Sequence, residues 1–228
     1  TYKSVIITYD EKGNELFKTY LSKTIAVDAC VSPDNAEFAY AEVNNSGTTI
    51  QSNIKIISIK DVKEKNTEPK YEYNAVQGSL ILRIKYQDKS RLICMYDDSI
   101  HKFETGVDVE LTKLNEDNPK ITFADIELSN YVFRTYEKST SLFSADTIIE
   151  MQNTSNGKEN VYTIEEVAKS VVSNNNVIAV NLGNEVYFVE TNAWLIKRYS
   201  SSQVIEKIIL GDGVAGIIYS DKIEIVNL

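Results

Sequence analysis

The feature of this sequence that most restricts its fold is a short junction that recurs along the chain. In each copy an apolar run is followed by a polar turn and a second apolar run, which is the pattern of two strands joined by a turn. The copies lie at residues 31–38, 84–92, 126–133, 172–178 and 209–215, and the copy at 84–92 is the weakest. Successive copies are roughly 37 to 53 residues apart, close to the ~40–50 residues of a four-stranded propeller blade.

A second junction recurs in the same phase. It consists of a strand, a polar turn and another strand that ends in Tyr, and it occupies residues 5–20 and again residues 186–199. Because two different junctions keep one phase, the sequence predicts an all-β fold, a β-propeller of four-stranded antiparallel blades. About five blades are expected, either as a complete ring or as part of a larger seven- or eight-bladed ring. A β-sandwich is the main alternative.

The strand pattern places the whole chain in a single domain. Strands C and D of one blade are predicted at 4–21, full blades at 25–74, 77–114, 120–164 and 167–200, and strands A, B and C of a last blade at 204–227. The last blade lacks only its strand D, but the N-terminal residues supply both a strand C and a strand D, which is one strand more than is needed. We therefore expect blades upstream, or a displaced strand in a five-bladed ring. Residues 164–169 are the best helix candidate but are too short to stand alone as a helix, and residues 60–70 are predicted to be a solvated connection.

Composition excludes several classes of protein. Of the 228 residues, 43% are hydrophobic and 25% are charged, as in globular domains, so a disordered or fibrous chain is excluded. A net charge of −9 repels phosphate backbones and argues against nucleic acid as a partner. The sequence contains no apolar stretch of about 18 residues, so no membrane span is predicted within it.

The residues that most often carry chemistry are few. Cys30 and Cys94 lie in apolar runs and are predicted to be buried free thiols. His101, the only histidine, has no zinc-ligand spacing and is predicted at the surface or at a sheet edge. Trp194, the only tryptophan, is predicted to pack in the core or between blades. The sequence therefore predicts no catalytic residue, no cofactor and no metal site.

One set of charged residues shares a position in the repeat. Asp28, Asp125, Lys169 and Glu206 each lie four residues before the recurring turn, on the strand expected to line the propeller channel. Because equivalent turns give equivalent register, these side chains are predicted to ring one opening and to bind a cation or a polar ligand. The simpler interpretation is a solvated channel wall without a ligand, and a register shift of one residue would turn all four the other way.

Two resemblances extend this interpretation. Residues 9–18 resemble the strand–turn–strand hairpin of quinoprotein-like propeller repeats, in which a Tyr-Asp pair precedes a Gly turn. Most of the chain is similar to a family of Gram-positive bacterial membrane-anchored propeller proteins, a domain of unknown function. The segments that carry this similarity are residues 31–43, 176–183, 193–197 and 210–228. The resemblance implies a membrane helix upstream, an extracytoplasmic location and no catalytic residues.

Two classes of function follow from these observations. The first is a non-catalytic propeller that offers a binding surface to an unknown protein or polar ligand outside the cell. The second is a carbohydrate-active or cofactor-dependent enzyme that uses carboxylates at the mouth of the channel. The second class requires a deep polar pocket with two facing carboxylates, and the first does not.

Overall fold

The computed structural model describes residues 2–44, 46–74, 78–115, 119–142 and 144–228, whose regular secondary structure is almost entirely antiparallel β-sheet. The chain divides into two compact units, Thr1–Lys113 and Leu114–Leu228. Within the described residues, no helix has the length and apolar character needed to cross a membrane.

The described part of the first unit contains three sheets and one short helix. The first sheet has two strands, β1 (Ser4–Tyr9) and β2 (Glu15–Leu21). The second has four strands in chain order, β3 (Ile25–Val31), β4 (Glu37–Asn44), β5 (Gln51–Ser58) and β6 (Tyr71–Asn74), with helix α1 (Ile59–Lys63) after β5. The third also has four strands in chain order, β7 (Ile81–Tyr86), β8 (Arg91–Tyr96), β9 (Ser99–Glu104) and β10 (Val107–Lys113).

The described part of the second unit repeats this arrangement. One four-stranded sheet consists of β11 (Ile121–Asp125), β12 (Tyr131–Ser139), β13 (Ala145–Asn153) and β14 (Glu159–Ile164). The next consists of β15 (Ser170–Asn174), β16 (Val177–Asn181), β17 (Glu185–Glu190) and β18 (Leu195–Ser200). A three-stranded sheet of β19 (Lys207–Leu210), β20 (Val214–Ile218) and β21 (Ile223–Asn227) follows. These sheets confirm the predicted four-stranded antiparallel architecture.

The turns form where the local residues satisfy the backbone. In the β1–β2 turn, the Asp10 carboxylate accepts the amides of Lys12 and Asn14 at 2.9 and 2.8 Å. Between β9 and β10, Thr105 and Gly106 both have positive φ, 49° and 83°, which is the backbone of a tight two-residue hairpin. Such turns join neighbouring strands closely and fix their register.

A β-bulge recurs near the start of the first strand of three sheets. The register shifts at Val27 in β3, at Leu82 in β7 and at Thr122 in β11, because one extra residue is inserted at each place. A bulge bends the strand and increases its twist. The recurrence shows that the repeat extends to backbone detail that the sequence pattern does not reveal.

The core consists of apolar layers between successive sheets. In the first unit, one layer lies between β1–β2 and β3–β6 and includes Phe17 and Phe38. A second lies between β3–β6 and β7–β10 and includes Phe103. In the second unit, equivalent layers lie on the two faces of β15–β18. Burial of large side chains on both faces explains why the central strands are almost continuously apolar.

The short helix of the structure does not lie at the best helix candidate of the sequence, which is too short to stand alone. Residues 164–169 are not helical, because Thr147 Oγ1 accepts the Ala168 amide at 2.8 Å and donates to the Glu166 carbonyl at 2.7 Å. Helix α1 instead forms at the start of the segment predicted as a connection. Ser58 caps it by accepting the Asp61 amide, and Val62 is buried beneath it with 7% exposure.

Candidate functional site: a groove on the first unit

The two predicted channel aspartates each connect two neighbouring first strands. Asp28 of β3 accepts the amide of Ala29 and the amide of Ile84 in β7, both at 2.9 Å. Asp125 of β11 accepts the amide of Ile126 at 2.8 Å and the hydroxyl of Ser173 in β15 at 3.0 Å. Each carboxylate thus satisfies its own backbone and the next sheet at the same time.

The other two predicted residues lie just outside their strands. Lys169 precedes β15 and is exposed, and its side chain runs over Gly183, where a Cβ atom would collide with it. Glu206 precedes β19 and is exposed. Lys169 is four residues from Ser173, the contact of Asp125, which is about 13 Å along a strand. Among the described residues of the second unit, no ion pair joins Lys169 to Asp125 or to Glu206.

Equal spacing in sequence therefore corresponds to different positions on the strands. Asp28 is followed by three more residues of β3, whereas Asp125 is the last residue of β11. The turns that follow differ in length, which moves the strand end relative to the repeated junction. A ligand-binding ring of Asp28, Asp125, Lys169 and Glu206 stays a prediction.

Both cysteines are free, as predicted. Cys94 is fully buried between the second and third sheets, and Cys30 is half-buried against the same layer. Burial raises the pKa of the Cys30 thiol to about 12 and also raises the pKa of the Cys94 thiol. Both groups are therefore protonated and weakly nucleophilic at neutral pH.

The predictions for the histidine and the tryptophan were wrong. The His101 side chain is only 15% exposed, because it stacks on Phe103 two residues along β9 and β9 is an inner strand of its sheet. Trp194 is 70% exposed in the β17–β18 turn, so it is not a core residue. Lone residues of these types do not reveal their burial through strand periodicity.

His101 belongs to a network with the order Ser–His–Asp. Its Nδ1 lies 2.7 Å from Asp108 Oδ1 and its Nε2 lies 3.1 Å from Ser99 Oγ. However, Ser99 is only 6% exposed, and its hydroxyl also lies 2.8 Å from Asp98 Oδ1, which competes for its single proton. The other Asp98 oxygen accepts the Ser79 hydroxyl at 3.0 Å. The network satisfies polar groups at the end of the third sheet and does not expose a nucleophile.

A groove runs across the first unit from the β1–β2 turn to the β9–β10 turn. It consists of three adjoining hollows with volumes of about 470, 440 and 190 Å³. The first two hollows share Asn35 and Lys63, and the last two share Glu37 and Lys70. The groove follows the recurring turn of the second sheet and helix α1.

The first hollow has an apolar lining. Leu16, Phe38 and Ile59 contribute to it, and Phe38 is also part of the layer below. Tyr9 and Val31 stand at this hollow with 58% and 51% of their surfaces exposed. Exposed apolar side chains that line a concave surface are typical of binding sites.

Three carboxylates of the groove have partners within the protein. The hydrogen bond from the Asn14 side chain is the largest cause of a lowered Asp10 pKa. Asp34 accepts the Ser32 hydroxyl at 2.8 Å, and this bond likewise lowers the pKa of Asp34. Glu37 accepts the Lys70 ammonium at 2.6 Å. Asp10 and Asp34 are thus held by residues of their own turns, whereas Glu37 of β4 is paired with Lys70, the residue before β6.

Sequence reasoning missed this groove. Its lysines lie largely in residues 60–70, whose polar composition indicated a solvated connection. The available signal was Val62, the one strongly apolar residue between Lys60 and Lys63, because a buried residue there turns both lysines outward on a short helix.

Solved structures similar to this chain are β-propellers. The β-propeller domain of the Trilobed protease from Pyrococcus furiosus has a TM-score of 0.60 and 12% identity, covering 98% of this chain and 77% of that one. The C-terminal WD40 domain of Sif2 has a TM-score of 0.51 and 10% identity, covering 100% and 76%. A structure from a study of two prolyl endopeptidases has a TM-score of 0.59 and 14% identity, covering 96% of this chain and 34% of that one.

This chain therefore spans about a third of the length of that prolyl endopeptidase chain. At these identities the likeness concerns the fold alone, and it confirms the predicted propeller. No curated protein matches the chain significantly. The sequence profile described as a family of unknown function (DUF5711) matches residues 1–228.

Proposed function

We propose that this chain, which belongs to the DUF5711 family of unknown function, is a binding propeller without catalytic activity, and that the groove of its first unit receives the partner. The observation that carries the proposal is the exposure of Tyr9 and Val31 within a concave surface that adjoins two further hollows. A propeller offers such surfaces on a rigid scaffold, because its turns vary while its sheets remain packed.

The composition of the groove supports a non-catalytic role. Its lining contains neither histidine nor cysteine among the described residues. The serine hydroxyls of the lining are those of Ser58, which caps helix α1 by accepting the Asp61 amide, and Ser90. The Ser90 hydroxyl donates to Asp88 at 3.3 Å, but that carboxylate is already paired with Arg91. A nucleophile with an adjacent base, which acyl or glycosyl transfer needs, is not assembled there.

We further propose that the propeller is displayed on the extracytoplasmic face of a membrane and is tethered by a segment outside residues 1–228. The support is the resemblance to membrane-anchored propeller proteins. Protease treatment of intact cells that express the full-length protein tests this proposal. Degradation of the propeller while a cytoplasmic marker survives is expected, and protection of the propeller until the cells are lysed would contradict it.

Site-specific photo-cross-linking tests the binding role. A benzophenone amino acid at Val31, inside the groove, is compared with the same group at Val161, which is 52% exposed on β14. The groove position is expected to give a discrete product that mass spectrometry identifies, and the purified partner should then lose affinity for a Val31→Glu variant. Equal cross-linking at both positions, or full affinity of the variant, would show that the groove is not the binding surface.

A further inference from the structure

We infer that the groove recognises an acidic peptide segment that carries one large apolar side chain. This inference rests on the proposed binding role of the groove and adds the chemistry of the partner. It follows from the charges that the groove leaves without partners and from where its apolar residues lie.

The unpaired charge of the groove is positive. Lys12, Lys60, Lys63 and Lys89 line it and are exposed, and within the described residues none of them has a carboxylate oxygen within 4.0 Å. In contrast, the carboxylates of Asp10, Asp34 and Glu37 already accept hydrogen bonds or an ion pair. Glu11 also lines the first hollow and is exposed, and Lys63 and Lys89 interact with Asp10 and Asp34 only beyond ion-pair distance. One exposed carboxylate thus stands against four lysines, so the charge that the groove offers a ligand is positive on balance.

Helix α1 fixes the positions of two of these lysines along the groove. Lys60 and Lys63 are three residues apart and therefore lie on one side of the helix, while Val62 anchors it with 7% exposure. The Ile59 amide donates to the Ala36 carbonyl at 2.9 Å, which ties the helix to the recurring turn. The backbone that carries these two lysines is therefore fixed before a ligand binds, so only their side chains need to be ordered.

The surrounding charge makes this positive groove selective. The whole chain has a net charge of −9, so an anionic ligand is repelled by most of the surface. A ligand with only negative charge would gain contacts from the lysines but would leave the apolar lining at Tyr9, Val31 and Leu16 uncovered. A peptide supplies both an anchor for this hollow and carboxylates for the lysines.

The test uses a fluorescent nine-residue peptide with a central phenylalanine flanked by aspartate and glutamate. Comparison peptides replace the phenylalanine by serine, or replace every acid by its amide, and inorganic polyphosphate represents an anion without a peptide. Binding to the full chain is measured by fluorescence anisotropy, directly for the labelled peptides and by competition for polyphosphate. The acidic phenylalanine peptide is expected to bind most tightly, and its affinity should fall as salt rises from 50 to 500 mM.

Variants locate the site. Lys60→Gln with Lys63→Gln is expected to weaken binding of the acidic phenylalanine peptide about tenfold, the loss expected from two ionic contacts. The matched control is Lys158→Gln with Lys207→Gln, which makes the same charge change in the second unit, where both lysines are exposed and unpaired within the described residues. The control pair should change the affinity less than twofold.

The outcomes separate this inference from the proposed function. If the amide peptide binds as tightly as the acidic one and the α1 variant has no effect, the acidic chemistry is wrong while groove binding stands. If polyphosphate competes as well as the acidic peptide itself, the peptide class is wrong. If no peptide binds but cross-linking at Val31 still identifies a partner, only this inference fails, whereas failure of that cross-linking overturns the binding role itself.

Discussion

The most direct test of how these sheets are held together is the substitution Asp28→Asn. The Asp28 carboxylate accepts two backbone amides at 2.9 Å, those of Ala29 and Ile84. Strand β7 pairs with β8 on one side only, so the Ile84 amide has no strand partner on its other side within the first unit. Asparagine keeps one acceptor oxygen and places an NH₂ group, itself a donor, against one of the two amides.

The expected cost follows from these two bonds. A hydrogen bond to a charged group contributes about 1.5–3 kcal/mol, and the variant loses one such bond and weakens the other. A destabilisation of about 2 kcal/mol is therefore expected. For a chain of this length that corresponds to a decrease in Tm of about 4–8 °C.

Thermal unfolding followed by circular dichroism measures this shift. The matched control is Asp212→Asn, because Asp212 lies exposed in the β19–β20 turn and has no side-chain partner among the described residues. Its Tm should change by less than about 2 °C. Hydrogen exchange adds a local measurement, since the Ile84 amide should lose protection only in Asp28→Asn. If the two variants melted alike and Ile84 stayed protected, Asp28 would not stabilise the sheet contact.

Three further predictions concern other polar and ionisable groups. Burial raises the pKa of the Cys30 thiol to about 12 from 9.0, so the stability that this protonated thiol contributes is present below pH 9 and is lost as the pH rises towards 12. Iodoacetamide at pH 7.5 should alkylate Cys30 and Cys94 at least tenfold more slowly in the native protein than in urea, and equal rates would contradict their burial. The His101→Phe variant keeps the ring stack but removes the contacts to Asp108 and Ser99, so the free energy of unfolding measured in urea is expected to fall by about 1 kcal/mol. The Asp108→Asn variant changes the more exposed partner and should lower the free energy of unfolding by less. Burial opposes ionisation of Asp88, but hydrogen bonds from Ser90 and Arg91 outweigh this effect and lower the pKa of Asp88. The stability that the Asp88 carboxylate contributes is therefore present above pH 3.8 and is lost as the pH falls below that value. The Asp88→Ala variant should flatten this part of the curve of stability against pH, and an unchanged curve would refute the prediction.

The fold was predictable because its determinants are local. Turn residues such as Asn35, Asn175 and Gly213 have positive φ, and residues of these types mark the strand ends in the sequence. Between the turns, alternation and β-branched runs are enough to indicate strands. Residues 164–169, a helix candidate too short to stand alone, are not helical, because Thr147 of another strand holds that segment in a bend through two hydrogen bonds.

The candidate site was not predictable in the same way. The apolar lining joins residues from β1, β2, β3 and the segment after β5, and their proximity depends on packing between two sheets. The channel residues were selected by counting from the turns, a procedure that overlooks the different turn lengths and the different strand ends. Sequence periodicity shows which face a residue occupies, but not which distant strand it meets.

The groove arises where the repeat is least regular. The recurring junction places the turn at residues 32–36 at one end of its sheet, and the segment after β5 adds a helix beside it that contributes Lys60 and Lys63. The equivalent segments of the sheets β7–β10 and β15–β18 are the short turns at Thr105–Gly106 and residues 191–194. The repeated part of the sequence thus builds the scaffold, and the inserted part alters its surface.

A variant that replaces residues 59–70 with a Thr-Gly turn should therefore keep the circular dichroism spectrum of β-sheet but lose affinity for the acidic phenylalanine peptide. Loss of the β-sheet spectrum would show instead that the insertion is part of the scaffold.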